Sequence, residues 1–137
     1  MMQIRLAAME DLSWLKARDH HIAEDELRSL IRHQRVLMAC ADACPVGWLR
    51  WNLFWDNTPF MNMLYVLEDS RGQGFGRALV THWESLMQSQ GYDAVLTSAM
   101  ANEDAQHFYR AMGYRDAGAL LLPGEPTEII FYKALHP

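Results

Sequence analysis

Arg71-Gly72-Gln73-Gly74-Phe75-Gly76-Arg77 places three glycines in seven residues, and its flanks decide how it is read. Upstream, Phe60 to Leu67 is an apolar, strand-like run. Downstream, from Gly76 to Gln90, the positions Leu79, Val80, Trp83, Leu86 and Met87 recur at helical spacing, and Gly91 ends the pattern where a C-cap glycine belongs. A glycine turn between a strand and a helix start brings free backbone N–H groups and the positive end of the helix dipole toward an anion. The glycines let the backbone approach a ligand closely. Arg71 and Arg77 can add charge-assisted hydrogen bonds. A phosphate-binding loop is the natural hypothesis, and a flexible turn with two solvated arginines is the plain alternative. A Walker loop requires Lys followed by Ser or Thr after its last glycine, but Arg77-Ala78 stands there. A dinucleotide fingerprint requires glycines at its first, third and sixth positions, whereas these fall at the first, third and fifth.

Working outward, the rest of the chain alternates between the two periods. Gln3 to Ala7 suggests a short strand. Glu10 to Ala17 and Ala23 to His33 suggest helices with acids in their first turns. Val36 to Ala41 and Pro45 to Phe54 form a hairpin, and Asp56 to Pro59 is turn chemistry leading into the next strand. Beyond Gly91, Asp93 to Met100 reads as a buried strand. Asn102 to Met112 reads as a helix capped by Asn102 and ended by Gly113, and Tyr114 to Leu122 and Glu128 to Leu135 as two closing strands. The order βααβββαβαββ predicts an α/β fold, a mixed and mostly antiparallel sheet with helices on both faces. With 137 residues and no linker or repeat, one domain over residues 1–137 is expected.

Composition removes other classes. Twelve Lys plus Arg against seventeen Asp plus Glu give a net charge of −5, a poor footprint for nucleic-acid binding. The apolar runs are far short of the roughly 18 residues a membrane span needs. The amino-terminal apolar stretch is broken at Glu10 before it could act as a signal-peptide core, so a cytoplasmic location is expected. Cys40 and Cys44, with no second pair at metal-ligand spacing, are expected to be two buried thiols on one strand face, and no metal is expected.

Two motifs together carry a family resemblance. Arg71-x-x-Gly74-x-Gly76, preceded by Leu64-Tyr65-Val66 and followed by a long helix, resembles the acetyl-CoA-binding motif of the GCN5-related N-acetyltransferases, the GNAT family. Asn102-Glu103-Asp104-Ala105 followed by Phe108-Tyr109-x-x-x-Gly113-Tyr114 is similar to that family's next motif. The resemblance implies a GNAT-like acyltransferase fold and acetyl-CoA as cosubstrate. It also implies backbone contacts from Leu64 and Val66 to the pantetheine arm, with the pyrophosphate on the N–H groups of Arg71, Gly72, Gln73, Gly74, Phe75 and Gly76 and on Arg77. Asn102 would hold the pantetheine side, and Tyr109 would be the general acid. The implied activity is transfer of an acetyl group to a primary amine of a small molecule or protein by direct attack on the thioester.

That chemistry needs an amine free of its proton, a donor for the oxyanion and a proton for the leaving thiolate. A phenol with an ordinary pKa near 10 is protonated at neutral pH and suits the last task. Some relatives place a Glu base five residues before the Asn, where this chain has Thr97. For the base, Asp56, in the turn beside the aromatic cluster Trp48, Trp51, Phe54, Trp55 and Phe60, is the acid nearest a plausible acceptor site, with Glu68 or a water chain as alternatives. Trp51 and Trp55 share a face by strand alternation, so Trp51, Trp55 and Asp56 are the candidate acceptor wall, selecting a cation with an apolar body. The same rings suit a homodimer contact. His20 and His21 fall where the family builds part of its acceptor wall, though solvated loop histidines are the plainer reading. A non-catalytic acyl-CoA-binding regulatory module is the alternative function, and a partner-binding domain using the aromatic patch is a third.

Overall fold

A computed structural model describes residues 1–136. The strands are β1 (Met2–Leu6), β2 (Val36–Ala41), β3 (Cys44–Phe54), β4 (Thr58–Val66), β5 (Ala94–Met100), β6 (Arg115–Leu120) and β7 (Glu128–Ala134). The α-helices are α1 (Leu12–Lys16), α2 (Glu24–Arg32), α3 (Phe75–Ser89) and α4 (Ala105–Ala111), with single 3-10 turns at Met9–Asp11 and Glu68–Ser70. The strands form one mixed sheet in the order β1-β2-β3-β4-β5-β7-β6. β4 and β5 pair in parallel at Phe60↔Leu96 and Met61↔Thr97, while β5 with β7 and β7 with β6 are antiparallel. The chain forms two compact units, residues Met1–Asn52 with Met63–Trp83, and Leu53–Asn62 with the chain from Glu84 on.

In the first unit, β2 is covered on both faces, which is why Val36 to Cys40 reads as an unbroken apolar run rather than an alternation. Val36, Met38, Cys40 and Trp48 pack with Leu15, Leu27, Leu30 and Ile31 of α1 and α2. Leu37, Ala39, Leu49 and Trp51 alternate to the other face, where the Trp51 ring lies 6.3 Å from Trp83 of α3. Gly47 of β3 sits where a Cβ would come within 2.7 Å of the Tyr65 carbonyl oxygen, so β3 and the end of β4 approach more closely than any side chain permits. The Leu67 N–H donates to the Val46 carbonyl at 2.8 Å, just beyond that contact.

In the second unit, Tyr109 and Met112 give α4 its buried side and pack near β7, with the Tyr109 ring 5.8 Å from Phe131. Glu84 accepts hydrogen bonds from the Tyr114 hydroxyl (2.7 Å) and the Lys133 ammonium (2.9 Å), and Lys133 also donates to the Met112 carbonyl. Burial, then the Glu84 charge, drives the Tyr114 phenol far above its ordinary pKa. The edge strand β6 is exposed along its whole length.

Three expectations are corrected. Cys40 and Cys44 lie on different strands, because Asp42 and Ala43 take left-handed conformations and turn the chain between them; Cys40 is buried but Cys44 is exposed. Helix α4 begins at Ala105 with Asp104 at its N-cap, so Asn102 is an exposed residue of the preceding turn and not a cap. β4 begins two residues before Phe60, at Thr58, and Trp55 is not part of β3 at all.

Candidate functional site

The glycine segment lies, as its flanks predict, between β4 and the first turn of the 15-residue helix α3. Gly72 and Gly74 have φ of 76° and 91°, conformations that side-chain-bearing residues avoid, and a Cβ at either would meet no atom within 4 Å. The chain therefore needs glycine there for torsion and not for room, and the loop presents an open backbone face. The Arg71 N–H is taken by the Glu68 carbonyl, and the Ala78 N–H reaches back to Gly74 O at 3.0 Å to start the helix. The N–H groups before it belong to a first helical turn, which has no intrahelical partners for them. Arg71 itself folds back: its Nε donates to the Val66 carbonyl at 2.8 Å, and its guanidinium lies 5.1 Å over the Tyr65 ring. It thus ties the loop to the end of β4, and Arg77 is the exposed cation at the helix start. This donor set suits a diphosphate.

Next to that strand end lies a cavity of about 450 Å³, between the α1–α2 connection (residues 17–21) and Trp48, Met63, Tyr65 and Leu67. One of its lining residues, Asp19, belongs to an ion pair that sequence reading missed. The Asp19 side chain is fully buried and accepts from Arg50 Nε at 2.7 Å, Arg50 Nη2 at 3.3 Å, the Trp48 indole at 3.0 Å and the His21 N–H at 3.2 Å. Burial pushes its carboxyl pKa up, but the hydrogen bond and charge of Arg50 outweigh that and hold it below the usual range. The Arg5–Asp11 pair depresses Asp11 in the same way. Stability from these lowered carboxyls is complete above their unfolded pKa near 3.9 and is lost as pH falls through the folded values. Asp19→Ala strands Arg50 in the interior and is expected to cost about 3–5 kcal/mol. Thermal melts of both proteins should show that gap at pH 7 and a narrower one at pH 3.

In the second unit, Tyr109 is 6% exposed. Burial pushes its phenol up to about 12, against a smaller opposing effect from a hydrogen bond with Thr97. Thr97 is buried and donates to the Met61 carbonyl at 3.0 Å, so the residue standing in the place of a family base helps hold the phenol instead.

Of the residues expected in the acceptor wall, Trp51 offers no open face. Trp51 is 2% exposed against Trp83. Trp55 is 78% exposed and Asp56 follows it, both with positive φ, in the turn that precedes β4, whereas the glycine loop follows the other end of that strand. Strand alternation puts Trp48 and Trp51 on opposite faces of β3 but does not say which face each meets.

The sequence matches the Acetyltransferase (GNAT) family over residues 3–114. Among solved structures, the chain is similar to Ard1 from Thermoplasma volcanium (16% identity, 99% of each chain covered, TM-score 0.85). It is also similar to the ribosomal-protein-S18-alanine N-acetyltransferase from Escherichia coli (19% identity, 98% of this chain and 94% of that one, TM-score 0.80). A third is yncA, a putative acetyltransferase from Salmonella typhimurium with its cofactor acetyl-CoA (14% identity, 100% and 95% covered, TM-score 0.81). A search of curated proteins finds no match. No helix of the described residues is long and apolar enough to cross a membrane, and no group of residues among them could hold a metal ion.

Proposed function

Since the chain belongs to the GNAT acetyltransferase family, we propose that it transfers an acetyl group from acetyl-CoA to a primary amine of a small molecule or polypeptide by direct attack of the amine on the thioester. The observation that carries this reading is the loop 71–76, whose left-handed glycines open backbone donors at the start of a long helix. When bound, acetyl-CoA supplies an acyl group already activated as a thioester. The pyrophosphate rests on the N–H groups of the loop beyond Arg71, residues 72–76, and on Arg77. Leu64 and Val66 offer backbone groups to the pantetheine arm, with the Val66 carbonyl shared with Arg71, and Asn102 holds its other side.

Tyr109 Oη holds a proton for the departing sulfur. Its raised pKa keeps that proton in place through the whole working range, so the phenol acts as a donor that never loses its hydrogen bond to ionisation. Thr97 is no base, and the carboxylate of Asp19 is already committed to four donors. The acceptor reacts as the neutral amine delivered from solution; the proton its nitrogen loses on forming the amide passes to solvent, solvent restores the proton that Tyr109 gives to the thiolate, and the rate should rise with pH through the amine's own pKa without a falling limb before pH 10. A cytoplasmic location accords with the free thiols Cys40 and Cys44.

Thr97 in the place of a Glu favours a second reading, a regulatory module that holds acyl-CoA without turnover. Thiol release from acetyl-CoA across a panel of primary amines separates the two. Amine-dependent release is expected; tight CoA binding with no release for any amine would give the regulatory module precedence.

A further inference from the structure

The cavity beside β4 has a chemistry of its own, and it differs from the cation-selecting wall that the aromatic cluster suggests. Met63 and Tyr65 alternate along β4 with Leu64, the residue proposed to meet the pantetheine arm, and Leu67 directly follows the strand, so the cavity and the cosubstrate share one strand end. Arg71 joins the two places, since it lies over the Tyr65 ring and bonds to Val66. The walls are apolar and aromatic: Trp48 and Tyr65 pack 5.1 Å apart, and Trp14 meets the edge of Trp48 at 5.7 Å. Asp19, the one carboxylate among the lining residues, has both oxygens occupied, so nothing in the cavity holds an ammonium ion.

The exposed polar lining residues point to the opposite charge. Beside the Tyr65 phenol they are Arg18, His20 and His21. The Arg18 guanidinium stacks 4.2 Å over Trp14, and Nη1 donates to the Trp14 carbonyl at 3.0 Å. That stack holds a planar cation at the rim, and one hydrogen bond uses only one of its five donors. In a chain of net charge −5, a cavity whose lining holds one arginine and no free acid is a local inversion of sign.

We infer that this cavity receives the acceptor and selects for an aromatic or bulky apolar body with a carboxylate near the amine, held by Arg18. The inference rests on the transferase reading and names its substrate class. The volume admits an aromatic side chain and its backbone. The same chemistry is found in a free aromatic amino acid and in a polypeptide amino terminus whose aromatic first residue is followed by an acidic one.

The test compares kcat/KM for thiol release with phenylalanine, the peptide Phe-Asp-Gly-Ser, 2-phenylethylamine and spermidine, in the wild type and in Arg18→Glu. In the wild type, one of the two carboxylate-bearing acceptors should exceed 2-phenylethylamine by about tenfold or more, the effect of a charge-assisted hydrogen bond. Spermidine should be the poorest acceptor. Arg18→Glu should erase that preference while leaving the KM for acetyl-CoA within about twofold, since Arg18 is an exposed residue outside the cosubstrate loop. The better of the two carboxylate acceptors identifies the source as free or polypeptide-borne. Equal rates with and without the carboxylate, a preference for spermidine, or a preference that survives Arg18→Glu would overturn the inference while leaving the transferase reading intact. Should no amine release thiol, equilibrium binding of N-acetylphenylalanine to the wild type and to Arg18→Glu decides the cavity separately. Binding lost in the variant supports the cavity chemistry, and absence of binding to the wild type defeats it.

Discussion

Gly74→Val is expected to weaken CoA binding by on the order of a hundredfold, about 3 kcal/mol, while the protein stays folded. The expectation follows from φ of 91° at that position, where a β-branched residue is strained by about 1–3 kcal/mol. The strain is relieved by rotating the peptide groups on either side, which turns the N–H groups of residues 74–76 away from a common point. Because no atom of the described residues beyond the glycine's own chain neighbours lies within 4 Å of the added Cβ, the core does not have to move, and the melting temperature should fall by only a few degrees. Calorimetric titration with CoA and a thermal melt on the same preparation check both halves. An unchanged affinity would remove the pyrophosphate from the loop, whatever the chain's other activities.

Tyr109→Phe should lower kcat by about a hundredfold or more, the usual cost of losing a positioned acid, with little change in KM for acetyl-CoA. The ring contacts with Phe108, Tyr114 and Phe131 survive the change, and the Thr97 hydroxyl keeps its bond to the Met61 carbonyl, so the loss is confined to one oxygen. Single-turnover measurements at saturating amine are the appropriate readout. Turnover at the wild-type rate would mean that solvent protonates the thiolate. The phenol's pKa of about 12 adds a second check, since a pH profile of the wild type should carry no trace of its ionisation below about pH 11.

The element order was readable from the sequence because each element repeats its own period. Leu79, Val80, Trp83 and Met87 are all buried along α3, and the glycine loop lies where strand and helix meet. What periodicity does not carry is identity across distance. Asp19 and Arg50 are 31 residues apart, and nothing in either neighbourhood marks them as partners; each reads as an ordinary charged residue until the fold closes over both. An Arg inside the apolar run Val46 to Trp51 was the one available signal, because a cation in a buried strand requires a counter-ion. Glu84, Tyr114 and Lys133 are another such group, drawn from α3, the start of the β6 segment and β7. Trp51 was misassigned for a related reason: alternation sorts residues into two faces but does not say which face a helix will cover. Asn102 was misplaced because two polar residues, Asn102 and Asp104, both suit a helix start, and propensity does not choose between caps two positions apart.

The glycines at 47 and at 72 and 74 are constrained in different ways, and alanine tells them apart. At 72 and 74 an added methyl meets open space and is opposed by torsion alone, a resistance that a neighbouring peptide can absorb. At 47 it is driven to 2.7 Å from a backbone oxygen, where only movement of β4 itself gives relief. A survey of tolerated substitutions would therefore rank position 47 among the most restrictive in the chain although it faces no ligand. Its intolerance would be a property of the seam behind the strand, inherited by whatever binds on the strand's other side.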